Sequence, residues 1–440
     1  MDDITSKYCM PRIKGSQLSC TLVGSLSVLF NLKDTAVLLH GTTGCAHYGM
    51  KFCQQMMMRA DEIMPGYQLP PVNFGTTALS ENELIFGGED RLCEKIAEML
   101  NAYPNLPLFV IPSCIVEVIG DDVQGACERM SRDTGRTVIY FNMGGFLKGD
   151  HFQGVNTTYF DLIDHFLPPP TQTDPRAVNL VAERGLMPAA EIDFLEVRRL
   201  LAKLGLSINT RFVRHLAFAD LGRVTKAALN LPSVSNQSMA ICQRLHERFD
   251  MPFLREGFPS GFADTRSWLE AIRESLTLDV NIESLMREEW DFFRTEIDRL
   301  GNPLAGLKVI INAVPIHLGW LTEFLEAVGA DLMQINLLDT GYFQTDFIDN
   351  PGALPCPVNA RMRFEDVLAN NLDAHADMIL QCSVHYSPLP NHQPGLLIKE
   401  VPVVPPVGPR GLLNLFVNWS QWIRSNQVEG WRNEPIEHLV

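Results

Sequence analysis

The chain has 440 residues, about three times the usual domain size, so two or three domains are expected. Apolar residues make up 46%, charged residues 20% and aromatics 9%, which supplies buried cores and excludes global disorder, collagen and coiled coil. Lys plus Arg is 36 against 52 Asp plus Glu, a formal charge of −16, so a soluble protein with no nucleic-acid and no membrane partner is expected.

The first ten residues, MDDITSKYCM, are acidic and lack the apolar run of a secretory signal. The longest apolar stretch, Val309–Leu321, is broken by Asn312, Pro315 and His317 and falls short of the roughly 20 residues that span a bilayer. Ten cysteines are too dilute for a disulfide scaffold. They are read as free thiols or metal ligands in a reducing cytoplasm.

Along the chain, short β-rich apolar runs alternate with amphipathic helix patterns. In the first third the strand patterns are Thr35–Leu39, Leu108–Ile111 and Thr137–Phe141, and the helix patterns Leu18–Phe30, Glu81–Asn101 and Asp122–Asp133. The run Pro168-Pro169-Pro170 is the clearest linker. After it come strands at Ala177–Val181, Ser207–Arg211 and Pro252–Arg255, with helices at Ala189–Leu204, Asp220–Ala228, Ser235–Phe249 and Ala263–Leu276. A long polar helix, Asn281–Leu300, ends at Gly301-Asn302-Pro303. Then come strands at Lys308–Ala313, Asp331–Leu337 and Met378–Gln381, and helices at Leu318–Ala327 and Leu412–Ser425. The reading is an α/β fold of three doubly wound, Rossmann-like domains with parallel sheets, over residues 1–170, 171–302 and 303–440. The long helix closes the second.

No first strand is followed by G-x-G-x-x-G, and G-x-x-x-x-G-K-[ST] is absent, so there is no sequence warrant for a dinucleotide or a nucleoside triphosphate. Ligands of open α/β sheets sit outside the carboxyl ends of the strands, and three cysteines fall there. Cys45 follows the strand pattern ending at Leu39, Cys114 follows the one ending at Ile111, and Cys20 opens the first helix pattern. A thiol at a helix start loses its proton more readily, and the thiolate is the metal-binding form. Gly41 and Gly44 let the backbone approach a bulky group. The spacings of 25 and 69 residues fit neither a zinc finger nor a ferredoxin run, so buried structural thiols remain the competing reading. Cys93, Cys127 and Cys242 lie within helix patterns and keep that reading, and Cys53 is ambiguous.

The contexts of these cysteines resemble the nitrogenase component 1 family. The resembling residues are His40-Gly41-x-x-Gly44-Cys45, Glu83-Leu84-Ile85-Phe86-Gly87-Gly88-Glu89 and Ser113-Cys114-Ile115-Val116-Glu117-Val118-Ile119-Gly120-Asp121-Asp122. Gly145-Phe146-x-x-Gly149 and Gly154 follow. The resemblance implies that Cys20, Cys45 and Cys114 ligate an iron–sulfur cluster shared with a partner subunit, either a P-cluster of [8Fe–7S] type or a [4Fe–4S] cluster. The implied partners are a homologous α-type subunit in an α2β2 heterotetramer and an ATP-dependent [4Fe–4S] reductase homodimer. Cys9 or Cys53 is the alternative source of a fourth ligand within the chain.

Catalytic α subunits of that family hold their metallocofactor through one Cys in the second domain and one His in the third. The matching turn here, Leu229–Asn236, contains no cysteine, and Cys242 comes about two turns later. The matching segment Val401–Gly411 contains no histidine, and His385 and His392 lie earlier in a different context. A β-type subunit with no catalytic residue of its own is the expectation, although Glu81–Asp90 looks α-like. The chain is also shorter than molybdenum-nitrogenase β subunits and lacks their N-terminal extension. Four readings fit: a β-type subunit of a nitrogenase-like reductase such as methylthio-alkane reductase, a cofactor-assembly scaffold subunit, an alternative-nitrogenase β subunit, and a tetrapyrrole reductase. The first is preferred and the scaffold comes second.

Overall fold

Ala36–His40 and Leu108–Pro112 are buried at every position. Strands that hide both faces belong to parallel sheets covered by helices on either side. The computed structural model describes residues 19–57, 72–183, 189–233, 236–338, 356–362, 375–382, 396–402 and 404–427. Its elements run, in chain order, α1 (Thr21–Leu29), β1 (Leu32–Lys33), β2 (Ala36–His40), α2 (Thr43–Met57), β3 (Asn73–Thr76), α3 (Glu81–Phe86), α4 (Glu89–Ala102), β4 (Leu108–Pro112), α5 (Cys114–Ile119), α6 (Val123–Thr134), β5 (Val138–Tyr140), α7 (His151–Phe166) and β6 (Asp174–Val181). Then follow α8 (Ala189–Lys203), β7 (Ser207–Phe212), β8 (Leu216–Ala217), β9 (Ala227–Pro232), α9 (Asn236–Phe249), α10 (Gly261–Ser275), α11 (Ile282–Leu300) and β10 (Lys308–Ala313). Last come α12 (Leu318–Ala327), β11 (Asp331–Leu338), β12 (Val358–Met362), β13 (Met378–Cys382), β14 (Leu397–Val401) and α13 (Gly408–Gln427).

Backbone contacts divide the chain into two compact units, one of residues 13–194 and 205–257, the other of residues 1–12, 195–204 and 258–440. The first unit holds a four-stranded sheet of order β3-β2-β4-β5 and a three-stranded sheet of order β7-β6-β9, all in parallel pairing. A short parallel pair, β1 with β8, joins them. One apolar cluster runs from Leu26 through Phe109 and Phe141 to Phe212 and Ile241. The second unit holds a parallel sheet of order β12-β11-β10-β13-β14. The expected α/β fold with parallel sheets is observed. No helix among the described residues is long and apolar enough to cross a membrane.

Three expected elements take a different form. Glu81–Asn101 is two helices, because Gly87 takes φ 100°, which an α-helix cannot continue. Asp220–Ala228 is not an α-helix: Phe218–Lys226 forms 3₁₀ turns and β9 starts at Ala227. Leu221, Val224 and Thr225 are buried there at helix-like spacing, which is why the periodicity misleads. Pro252–Arg255 contributes only the lone bridge of Phe253 to Asn230. Helix α7 has no counterpart among the expected elements, yet Asp150 and Gln153 form its capping box, which is a readable start signal.

α1 and α7 cross at backbone contact. A Cβ on Gly24 would overlap the His151 carbonyl, and one on Gly154 would lie 2.6 Å from Thr21 Cα. Thr158 Oγ1 donates to Ser25 Oγ at 2.8 Å across the same crossing. Gly154→Ala is therefore expected to cost about 1–3 kcal/mol or more, because a backbone atom cannot move aside as a side chain can. Chemical denaturation reads the loss.

Two buried histidines make stability pH-dependent. Burial pushes His151 and His317 down to about 4. Both are charged below pH 6.5 in the unfolded chain but stay neutral in the fold. The stability they hold is complete above pH 6.5 and is lost as pH falls toward 4, by on the order of 3 kcal/mol each. The thermal midpoint, measured from pH 7.5 to pH 5, is expected to fall.

Candidate metal centre

The carboxyl edge of the first sheet gathers the three sequence-selected cysteines. Cys20 is the N-cap of α1, with φ −87° and ψ 175°, and is buried. Cys45 sits in the first turn of α2, after the Gly41–Thr42 loop that leaves β2. Cys114 opens α5 directly after β4. Because β2 and β4 are parallel neighbours with His40 opposite Pro112, the last two thiols leave the sheet at the same level.

Cys20 is brought there by hydrogen bonds from its neighbours. The Thr21 hydroxyl reaches the carbonyls of Met143 at 2.7 Å and Gly145 at 2.8 Å. Gly145 has φ 55°, and a Cβ there would lie 2.9 Å from the Cβ of Cys114. Here the left-handed backbone and the close approach both require glycine. His151 N–H donates to the Ser19 carbonyl at 2.9 Å, and Cys20 bridges Asp150.

The thiols sense one another. Burial raises the pKa of Cys45, a hydrogen bond with Thr42 opposes this, and the charges of Cys114 and Cys20 raise it further. Three thiolates held together repel unless a cation compensates them, which is the chemistry of a metal-ligand set. Three other thiols differ. Cys53 and Cys242 are fully buried; burial pushes Cys53 up to about 12 and Cys242 well above 9.0. Cys127 is also buried, and burial raises it to about 12. These three have the environment of core thiols. Cys9 lies outside the described residues.

Among the described residues no three His, Cys, Asp or Glu side chains converge on a single metal-ion position. A cluster is wider than one ion, so its thiolates stand further apart than ligands of one ion. Three separated thiols on one edge, with glycines at the points of closest approach, fit a cluster.

Behind the thiols lies a buried polar network that sequence reasoning misses. His40 Nε2 contacts Asp121 Oδ2 at 3.0 Å and Nδ1 contacts Thr77 Oγ1 at 3.1 Å. Asp121 also accepts from Gly88 N–H at 3.0 Å. Burial lowers the pKa of His40, against the hydrogen bond and charge of Asp121, so a neutral imidazole donates from Nε2 to the carboxylate. Asp121 thereby ties the α3–α4 turn to the end of β2. In sequence, Asp121 and Asp122 look alike as helix N-terminal acids. Only Asp122 is one, accepting from Gly125 N–H at 2.9 Å.

The same edge carries exposed apolar side chains. Phe86 is 83% and Ile85 72% exposed on α3, and Val118, Phe146 and Leu147 are exposed on the segments after β4 and β5. Exposed large apolar groups of this kind are characteristic of interaction surfaces.

Residues 20–345 match the model of the family described as nitrogenase component 1 type oxidoreductase. The chain belongs to this family. It is 25% identical over 365 residues to the nitrogenase molybdenum-iron protein alpha chain of Methanococcus maripaludis, which covers 77% of this chain and 74% of that one. It is 28% identical over 285 residues to the nitrogenase iron-molybdenum cofactor biosynthesis protein NifE of Nostoc sp. (strain PCC 7120 / SAG 25.82 / UTEX 2576), covering 62% of this chain and 55% of the relative. The solved structure titled "Nitrogenase Cp1 at pH 6.5" superposes with a TM-score of 0.64 at 16% identity, over 97% of this chain and 93% of that one. The nitrogenase component 1 match begins at Cys20 and so includes all three thiols.

Elsewhere in this nitrogenase component 1 type chain, the turn Leu229–Asn236 holds Ser233 by a bond within the second sheet. Ser233 Oγ donates to the Ala182 carbonyl at 2.8 Å. Val234 and Ser235 lie outside the described residues, as do His385, His392 and Val403.

Proposed function

We propose that this chain is a subunit of a nitrogenase-like reductase. In this reading Cys20, Cys45 and Cys114 hold half of an iron–sulfur cluster of [8Fe–7S] or [4Fe–4S] type, and a homologous chain supplies the remaining ligands in an α2β2 assembly. The observation that carries it is the placement of Cys45 and Cys114 on one sheet edge, with Cys20 near enough to act on Cys45 and exposed apolar side chains on the helix of Cys114 and on neighbouring segments. Such a cluster, when bound, relays single electrons. The chain's own residues would hold the thiolates at helix starts and present a face that a partner closes against water.

The electrons come, in this reading, from an ATP-hydrolysing [4Fe–4S] reductase homodimer that docks on this face, since the chain has no phosphate-binding loop of its own. The segment Leu229–Asn236 contains no Cys and the segment Val401–Gly411 no His, which supports a subunit whose partner carries the chemistry. The β-type label rests on those missing ligands alone, because the relatives above are named alpha chain and NifE. Methylthio-alkane reduction in the cytoplasm is the activity proposed for the complex. The NifE likeness favours one second reading, a scaffold on which a cofactor is assembled.

Purification of the native complex decides between them. The reductase reading expects a homologous partner, iron at this chain's thiols, and substrate reduction that requires both ATP and the separate reductase. Full turnover with dithionite alone would refute the proposed donor. A complex that reduces nothing but hands a metal cluster to a cofactor-free reductase is the scaffold's result.

A further inference from the structure

Helices α4 and α6 lie side by side. They lead into β4 and β5, which are parallel neighbours, so the two helices point the same way. Their starts are tied together: Asp121, just before α6, accepts from the N–H of Gly88, the N-cap of α4, at 3.0 Å. Leu92, Ile96 and Met99 of α4 share one apolar cluster with Val123, Ala126 and Cys127 of α6.

Each helix carries a cysteine at its fifth position, Cys93 on α4 and Cys127 on α6. With the helix starts level, the two thiols stand at the same height along the pair. Cys127 is buried in the shared cluster, and the half-buried Cys93 packs against it. Arg129, two residues after Cys127, donates to Glu89 across the helices and also bonds the Cys93 sulfur. Burial is the first cause of the raised pKa of Cys127, and the charge of Cys93 is the next. The thiols are thus within electrostatic reach of one another. Packed helices lie about 8–10 Å apart, axis to axis, which brings facing residues near the separation a disulfide spans. Both thiols are free in this structure.

We infer that Cys93 and Cys127 form a reversible dithiol–disulfide site, oxidised by a small disulfide such as oxidised glutathione. The half-buried Cys93 attacks one sulfur of the small disulfide. A mixed disulfide forms, and the small thiolate that departs takes up the Cys93 proton. Cys127, too buried to meet an external oxidant, then attacks the Cys93 sulfur. Its proton goes to the second departing thiolate. The protein loses two protons and two electrons as its S–S bond forms, and the small disulfide becomes two thiols. The new bond closes a loop that contains β4, Cys114 and Asp121, so oxidation fastens the segment that carries one thiol of the candidate metal centre. The inference does not depend on what that centre binds.

The test uses the full-length protein purified in its native assembly, treated without oxygen with oxidised glutathione and afterwards with dithiothreitol. Peptide mass spectrometry without prior reduction reads the products. The expected result in the wild-type protein is a Cys93–Cys127 cross-link with loss of both free thiols, and recovery of both on reduction. Cys127→Ser should stop with glutathione on Cys93, and Cys93→Ser should leave Cys127 unmodified. A wild-type chain in which both thiols stay free, Cys93 keeps its glutathione, or Cys93 joins another cysteine overturns the inference. So does glutathione on Cys127 in Cys93→Ser. The wild-type result decides alone should either variant fail to fold.

Discussion

Cys45→Ala is expected to abolish the brown iron–sulfur chromophore, lower the iron content of the complex and cut its turnover by more than about 100-fold. Loss of a single supporting contact around a metal already costs 10–100-fold, and loss of a ligand removes more. Cys20→Ala and Cys114→Ala should behave in the same way, because each thiol supplies a separate point on the cluster. The informative contrast is Cys242→Ala. That thiol is fully buried in the shared core and its pKa is driven upward by burial, so its loss should leave the iron in place and lower only stability. Iron determination together with visible absorbance separates the two classes of thiol. Full iron in all three single variants would eliminate the ligand assignment.

Glu191→Gln is expected to cost about 3–5 kcal/mol, the usual penalty for breaking a buried ion pair from one side. Glu191, on α8, accepts from Arg211 Nη1 at 2.8 Å, from Arg214 Nε at 2.5 Å and from His215 Nε2 at 3.2 Å. Burial alone would raise its pKa. The hydrogen bonds from His215, Arg211 and Arg214 and the charge of Arg211 instead hold the carboxyl well below the usual carboxylate range. Glu183, just after β6, takes the other side of the Arg211 guanidinium, at 2.7 and 2.8 Å. The network thus closes the carboxyl end of the second sheet with the chain's own charges. Removing the Glu191 charge takes a carboxylate partner away from the buried Arg214 and from the half-satisfied side of Arg211. Against a total stability of about 5–15 kcal/mol, such a loss should lower the unfolding midpoint strongly, while the folded fraction keeps its iron.

Much of this architecture is legible in the amino-acid sequence. The runs Ala36–His40 and Leu108–Pro112 are short, apolar and followed by glycine or helix-start residues, and both are central strands. Cys45 and Cys114 are legible for the same reason, since a residue just past a parallel strand is placed by the strand itself, whereas Cys20 precedes the first strand and is legible only as a helix start. Other features are hidden because they depend on contacts across the chain. The expected helix Asp220–Ala228 runs into β9 at Ala227. The identity of β9 is decided by pairing with β6. The pairing of His40 with Asp121 joins residues 81 apart in sequence, and nothing local distinguishes Asp121 from the capping Asp122.

This chain is expected to bind iron through Cys20, Cys45 and Cys114 and through no other side chain. Anomalous diffraction at the iron edge from crystals of the native complex tests it most directly. Iron peaks are expected beside these three sulfurs, completed by ligands from a homologous chain. Iron held by any other side chain of this protein, or an edge of the first sheet without iron in an active complex, would contradict it.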